Sequence, residues 1–257
     1  MKLYLSFLSL HLKSAMTYRS SFLLSCLGQL LVTVNTFLGV KFLMDRFGTV
    51  AGYTLPQLAL CFGVILAATS LAECFARGFD AFSVVLSQAR FDRLLVRPRG
   101  LIFQLLCEEM KLSMVPRLLQ AVLMLGWAIS AGAVRWTAAK AAVLALMILC
   151  GAAVFFGLFL INAALCFFTL EGLEVMNIFT DGPREYGKYP FGIYGRGVLW
   201  ILTLLVPLAL VQHWPLQYLL DRGPGWYGLL PLVSLLFLFP CAAAWRLGVR
   251  HYRSTGS

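Results

Sequence analysis

Five stretches of the chain are apolar for long enough to cross a bilayer, which takes about 20 residues in a helix: residues 22–40, 55–72, 118–134, 141–170 and 229–245. The first is uncharged, with Gln29 and Asn35 as its polar members. Arg117 stands at the mouth of the third, and Arg246 closes the last. Residues 141–170 run for thirty positions without a charge. That exceeds what a bilayer needs, so this span tilts, protrudes or bends back. The first twenty residues read as an interfacial helix. Leu3, Leu5, Phe7, Leu8 and Leu10 supply its apolar surface, and Lys2, His11, Lys13 and Arg19 face headgroups.

Directly after the longest apolar run comes a segment of the opposite character. Six charges, Glu171, Glu174, Asp181, Arg184, Glu185 and Lys188, fall within residues 171–190. The chain then turns apolar again over residues 198–211, interrupted by Pro207, and stays uncharged to Leu220 through Gln212, His213, Trp214 and Pro215. Apolar runs of 10–14 residues are more often re-entrant or interfacial than spanning. Residues 198–220 are therefore either one kinked span or two short helices that dip in and return.

Basic residues orient the spans. Lys2, Lys13 and Arg19 precede the first. Arg77, Arg90, Arg93, Arg97, Arg99, Lys111 and Arg117 lie between the second and third, and Arg246, Arg250 and Arg253 follow the start of the last. The opposite side keeps Lys41, Arg46, Arg135, Lys140 and Arg222. This bias puts both termini in the cytoplasm and makes the number of crossings even. A sixth crossing then lies between Leu170 and Leu229, and residues 171–190 and 198–220 compete for it.

The totals agree with a membrane chain. Of 257 residues 60% are hydrophobic and 12% charged, with a mean hydropathy of +0.83, whereas soluble domains carry about 25% charged residues. The net charge of +10 clusters beside apolar runs, which marks membrane topology and not nucleic-acid binding. Seven cysteines are scattered through apolar segments with no CxxC pair, so they read as small buried hydrophobes and make no disulfide framework or zinc site. The opening residues lack the clean apolar core and cleavage site of a signal peptide. There is no GxxxxGK[ST] loop, HExxH or GxSxG. His11, His213 and His251 are far apart, and Glu108-Glu109 beside Lys111 reads as a solvated acidic pair.

Two passages carry a family likeness. ARGFDAFSVVLSQARFDRLLVRP, residues 76–98, resembles the loop after the second span of type-2 ATP-binding-cassette exporter permeases, in the branch of small bacterial six-span permeases. EGLEVMNIFTDGPREYGKYPFGIYG, followed by LTLLVPLALVQHWPLQYLL, resembles that branch's acidic segment, TDGGRE-like turn, YP-x-x-IY and Pro-containing apolar stretch. Pro183 stands where the branch usually has a second glycine, which stiffens the turn.

The resemblance implies an all-α integral membrane protein of six transmembrane helices with cytoplasmic termini, forming one permease domain over residues 1–257. Its parts would be an interfacial helix (1–20), a cytoplasmic coupling loop (77–111), a polar fifth helix or loop (171–190), and a re-entrant pair or kinked span (198–220). It implies a multi-pass protein of the bacterial cell membrane that works in an ATP-driven exporter. Its partners would be cytoplasmic ABC ATPase subunits, a second permease, homologous or identical, and membrane lipid. No cofactor belongs to this chain, since ATP and Mg would sit on the ATPase. Coupling would fall to Phe91, Asp92, Arg93, Leu94, Leu95 and Arg97, with Phe91, Leu94 and Leu95 pressed into an ATPase groove.

The physics of the polar stretch leaves two readings open. Six charges facing lipid at mid-depth would cost on the order of 18 kcal/mol, so a lipid-facing helix is excluded. A helix facing a partner subunit or wet cleft is allowed, with Asp181 paired to Arg184 and Glu185 to Lys188 at helical spacing. Against it, Gly182-Pro183 breaks a helix and the basic residues favour a cytoplasmic loop. The rival to a permease is a non-transport membrane protein, an intramembrane lipid enzyme or assembly scaffold, for which no convergent polar site of recognisable type is present.

Overall fold

The computed structural model of the chain describes residues 2–132, 134–169, 178, 180–187 and 189–252. Among these it is all helix and turn, apart from one isolated bridge between Val50 and Tyr53. The helices are α1 (Lys2–Thr17), α2 (Arg19–Phe47), α3 (Leu55–Asp80), α4 (Phe82–Ser87), α5 (Arg90–Leu95), α6 (Leu101–Glu108), α7 (Val115–Ser130), α8 (Ala138–Thr169), α9 (Gly182–Tyr186), α10 (Arg196–Leu204), α11 (Leu208–Val211), α12 (His213–Leu219), α13 (Leu230–Ser234) and α14 (Leu238–His251). Five helical stretches are long and apolar enough to span, and a sixth is reached if the pair α10 and α11–α12, bent by 88°, counts as one. The expected re-entrant or kinked element thus exists, and Pro207 stands at its break, where a proline cannot continue the ladder.

α3 is apolar all round and almost wholly buried, as a helix at the centre of a bundle must be. It begins at Thr54-Leu55-Pro56-Gln57, where Gln57 Oε1 accepts the Thr54 N–H at 3.2 Å. This is a helix start of the S/T-x-x-Q type. α7 and α8 pack against it, and α14 packs on α8, with its Trp245 also edge-on to Phe79 of α3. α2 and the 225–251 stretch bury little of themselves, and their Leu24, Leu31, Val32, Phe42, Leu236 and Phe239 face outward. In a membrane such surface meets lipid or another membrane helix. α8 is 32 residues long, about 48 Å, and outruns a hydrocarbon core of about 30 Å. It runs on helically to Thr169 without bending back, and its last turns meet the α3–α7 loop, where Phe167 packs against Phe82 and Phe91.

The bundle has two different ends. At one, the short turns are tied by polar contacts. Lys140 Nζ reaches both Asp221 carboxylate oxygens at 2.8 Å and the Leu219 carbonyl at 2.9 Å. Gln217 donates to the Tyr53 hydroxyl at 2.7 Å, and Arg222 lies 4.9 Å over the Tyr53 ring. At the other end sits the α3–α7 loop, with α4, α5 and α6. α1 joins it there, its His11 Nε2 donating to the Cys107 carbonyl at 2.9 Å, and so does the last helix, through Tyr252 and Asp92 at 2.9 Å. Both termini therefore share the loop end, which carries most of the basic residues.

α3 bends near that end, where Ala76 leaves helical geometry, and Gly78 lets the α6 backbone close in. A Cβ at Gly78 would overlap the Leu105 carbonyl oxygen. Gly78→Ala is expected to destabilise the folded protein by about 1–3 kcal/mol. Gly100→Ala, where an added Cβ meets nothing within 4 Å, should leave thermal unfolding in detergent near wild type. Equal unfolding temperatures for the two variants would contradict this packing.

Candidate functional site

The polar stretch enters the bundle from the loop end. Glu171 and Glu174 lie outside the described residues, as do Lys188 and the side chain of Arg184. The expected pairs Asp181–Arg184 and Glu185–Lys188 therefore also fall outside them. Asp181 and Glu185 are both exposed, Asp181 within electrostatic reach of Arg117 and Asp80, and Glu185 near Tyr194. Gly182-Pro183 opens the short helix α9, proline occupying its first turn, where a missing N–H costs nothing. Thr180 is buried. By Gly187 the chain lies against Ile65, in the middle of α3, at 2.9 Å from where a Cβ would stand.

Residues 187 and 189–194 are turn, coil and 3₁₀, not α-helix, so their backbone needs partners. The bend between α11 and α12 supplies them. Gln212, fully buried, donates from Nε2 to the carbonyls of Gly187 (2.8 Å) and Tyr189 (3.3 Å), and accepts the Phe191 N–H at 3.3 Å. His213 Nδ1 accepts the Gly192 N–H at 3.2 Å, and a Cβ on Gly192 would collide with that ring. Two neighbouring side chains thereby satisfy four backbone groups. The second helix of the bent pair and the tail of the polar stretch form one unit.

Below this lies a set of buried charges. Arg117 Nη1 donates to Glu73 Oε2 at 2.9 Å, with both side chains almost fully buried, and its other terminal nitrogen donates to Gln29. The contact joins α2, α3 and α7. Arg77 pairs with Asp80 one turn further on. Sequence reasoning did not single out Glu73. The available signal was a lone carboxylate one residue past an uncharged span, which needs a cation in a low-dielectric interior.

Five of the coupling candidates sit on α5 and Arg97 lies just after it; two of them are corrected. Phe91 and Leu94 are buried, not presented outward. Phe91 packs edge-on to Phe82, Phe167 and Tyr252, with centroids 4.8–5.4 Å apart. The Leu94 carbonyl accepts from Gln104 at 3.0 Å. Asp92 Oδ1 accepts from the Tyr252 hydroxyl at 2.9 Å. Burial, and after it the bond to and the charge of Asp92, hold the Tyr252 phenol above its ordinary pKa. Leu95 and Val96 point outward, Val96 at 86% exposure, together with Arg93, Arg97 and Arg99. The sequence presented Phe91 outward because two of the rings that claim it, Phe167 and Tyr252, come from 76 and 161 positions away.

A family profile described as ABC-2 family transporter protein matches residues 30–256 of the chain. Searches of curated proteins and of solved structures gave no match.

Two variants probe the interior. Glu73→Ala leaves Arg117 buried without its carboxylate and is expected to cost about 3–5 kcal/mol of stability, whereas Glu73→Ala with Arg117→Ala should cost clearly less. Equal losses in thermal unfolding would show that the pair is not coupled. Gln212→Leu removes the partner of three backbone groups, each costing about 1–3 kcal/mol when buried and unsatisfied. It should lower folded yield far more than Gln217→Leu, whose partner is the Tyr53 hydroxyl near the turn end.

Proposed function

The chain belongs to the ABC-2 transporter family, and on that premise we propose that it is the permease subunit of an ATP-driven exporter in the bacterial cell membrane. It is a multi-pass membrane transport component. In our reading the substrate pathway forms between this chain and a second permease, homologous or identical. A separate cytoplasmic ATPase binds ATP and Mg, and its motion enters through the α3–α7 loop.

The observation that carries this reading is the two-sided build of α5. Its inner side is fixed in an aromatic cluster formed by Phe82, Phe91, Phe167, Trp245 and Tyr252, with ring centroids 4.8–5.8 Å apart. These rings belong to α4, α5, α8, α14 and the residue after it. Displacing α5 therefore displaces the end of α8 at Phe167, four residues before the polar stretch begins, and the last helix with it. Its outer side offers Leu95 and Val96 amid Arg93, Arg97 and Arg99. Apolar anchors ringed by charge suit a groove with an acidic rim on a soluble partner. In the same reading the polar stretch faces the second permease, so its carboxylates never meet lipid.

Leu95→Ser with Val96→Ser is expected to reduce copurification of the ATPase by about tenfold or more, while the permease stays folded in the membrane. Phe91→Ser should behave differently. It opens the core, at about 3–5 kcal/mol, and lowers the yield of permease itself. Wild-type amounts of ATPase on the double variant would defeat coupling through this face.

A further inference from the structure

A cavity of about 270 Å³ with mixed polar and apolar walls opens where the interfacial helix α1 meets the start of α2. His11, Ser14, Ser21, Ser25, Lys111 and Ser113 contribute its polar side chains, and neither Asp nor Glu lines it. A water in liquid takes about 30 Å³, so the space holds a group of many heavy atoms. The lining is rich in hydroxyl and N–H donors and contains one permanent cation, which is the chemistry that receives an oxyanion.

Lys111 differs from its basic neighbours. Arg77, Arg90 and Arg117 each have a carboxylate within 4 Å. The Lys111 ammonium has none among the described residues, although it is half-buried. Burial, and after it the nearby Arg77 and Arg117, push its pKa down, and Glu109 and Asp80 only partly oppose them. An anion in the cavity would reverse that pressure. The depth is also specific. Arg19 begins the first span, and α1 leads into it at the loop end, so the cavity lies at headgroup level between an amphipathic helix and a spanning one. The anion at hand there belongs to a phospholipid.

We propose that this cavity is a binding site for the phosphate of an anionic phospholipid from the loop-end leaflet, with Lys111 as its counter-charge and the serine hydroxyls as donors. The lipid staples α1 to the α2 start and to the 110–113 segment. That segment leads directly into α7 and the buried Arg117–Glu73 pair. The inference requires only that the chain is a membrane protein, whatever it transports.

The test is native mass spectrometry of the full-length protein in detergent with equal amounts of dioleoylphosphatidylglycerol and dioleoylphosphatidylcholine. One basic contact near the surface corresponds to about a fivefold preference for the anionic lipid. Wild type should show that preference, Lys111→Arg should keep it, and Lys111→Gln should bring it close to unity with unchanged thermal unfolding. If Lys111→Gln does not fold, Ser21→Ala with Ser25→Ala carries the test and should reduce the preference at least about twofold. Millimolar inorganic phosphate distinguishes the two possible sources of the anion. Phosphatidylglycerol that stays bound supports the lipid, and its complete displacement by free phosphate overturns it in favour of a soluble anion. Equal retention of the two lipids by wild type, or an undiminished preference in the variant used, also overturns the proposal.

Discussion

Hydrocarbon offers no water to a peptide group, so each backbone N–H and C=O at membrane depth must find its partner inside the protein. Helices meet that demand by themselves. The segment after α9 does not, because it is largely turn and 3₁₀ between Gly187 and Tyr194 and yet reaches the level of Ile65. It persists there because Gln212 and His213 stand opposite and bond to its main chain. The same constraint explains why the apolar stretch after Pro207 carries an amide and an imidazole at the junction of α11 and α12, where both side chains meet the neighbouring main chain.

The two ends of the bundle follow different rules. At the turn end, cohesion is polar and specific, through Lys140 with Asp221 and Tyr53 with Gln217 and Arg222. At the loop end edge-to-face rings form the packed centre, beside the Tyr252–Asp92, Arg90–Glu108 and His11–Cys107 contacts. Between them α3 and α8 form the buried centre. A permease that changes shape needs one end fixed and another able to receive a push. The aromatic end is the one that carries the loop.

Much of this was legible in the sequence. Apolar length identifies the spans directly, because no other feature of the chain competes with it, and the basic residues separate the ends. Helix ends were less legible. α2 and α8 run several residues beyond their apolar cores, since charged and polar residues continue a helix once it leaves hydrocarbon. The bent pair was readable from Pro207 and from the shortness of its apolar run. The roles of Glu73 and Gln212 were not, because each is defined by a partner far along the chain, Arg117 44 residues away and the 187–191 backbone more than twenty away.

The orientation of α5 shows where sequence reasoning ends. A six-residue helix with apolar residues at 91, 94 and 95, followed at once by Val96, has an apolar side and an apolar end. Composition does not say how much of it is core. Positions 91, 94 and 95 lie within about 100° of one another, and 96 lies about 140° round from 91. The choice is made by Phe82, Phe167, Trp245 and Tyr252, which form an aromatic socket that fits Phe91. Once Phe91 is seated, Val96 is turned outward, Leu95 at the margin of the buried side stays about half exposed, and the arginines beside them stay hydrated. A partner held on the outward face would act on α8 and the chain after the last helix through the same rings.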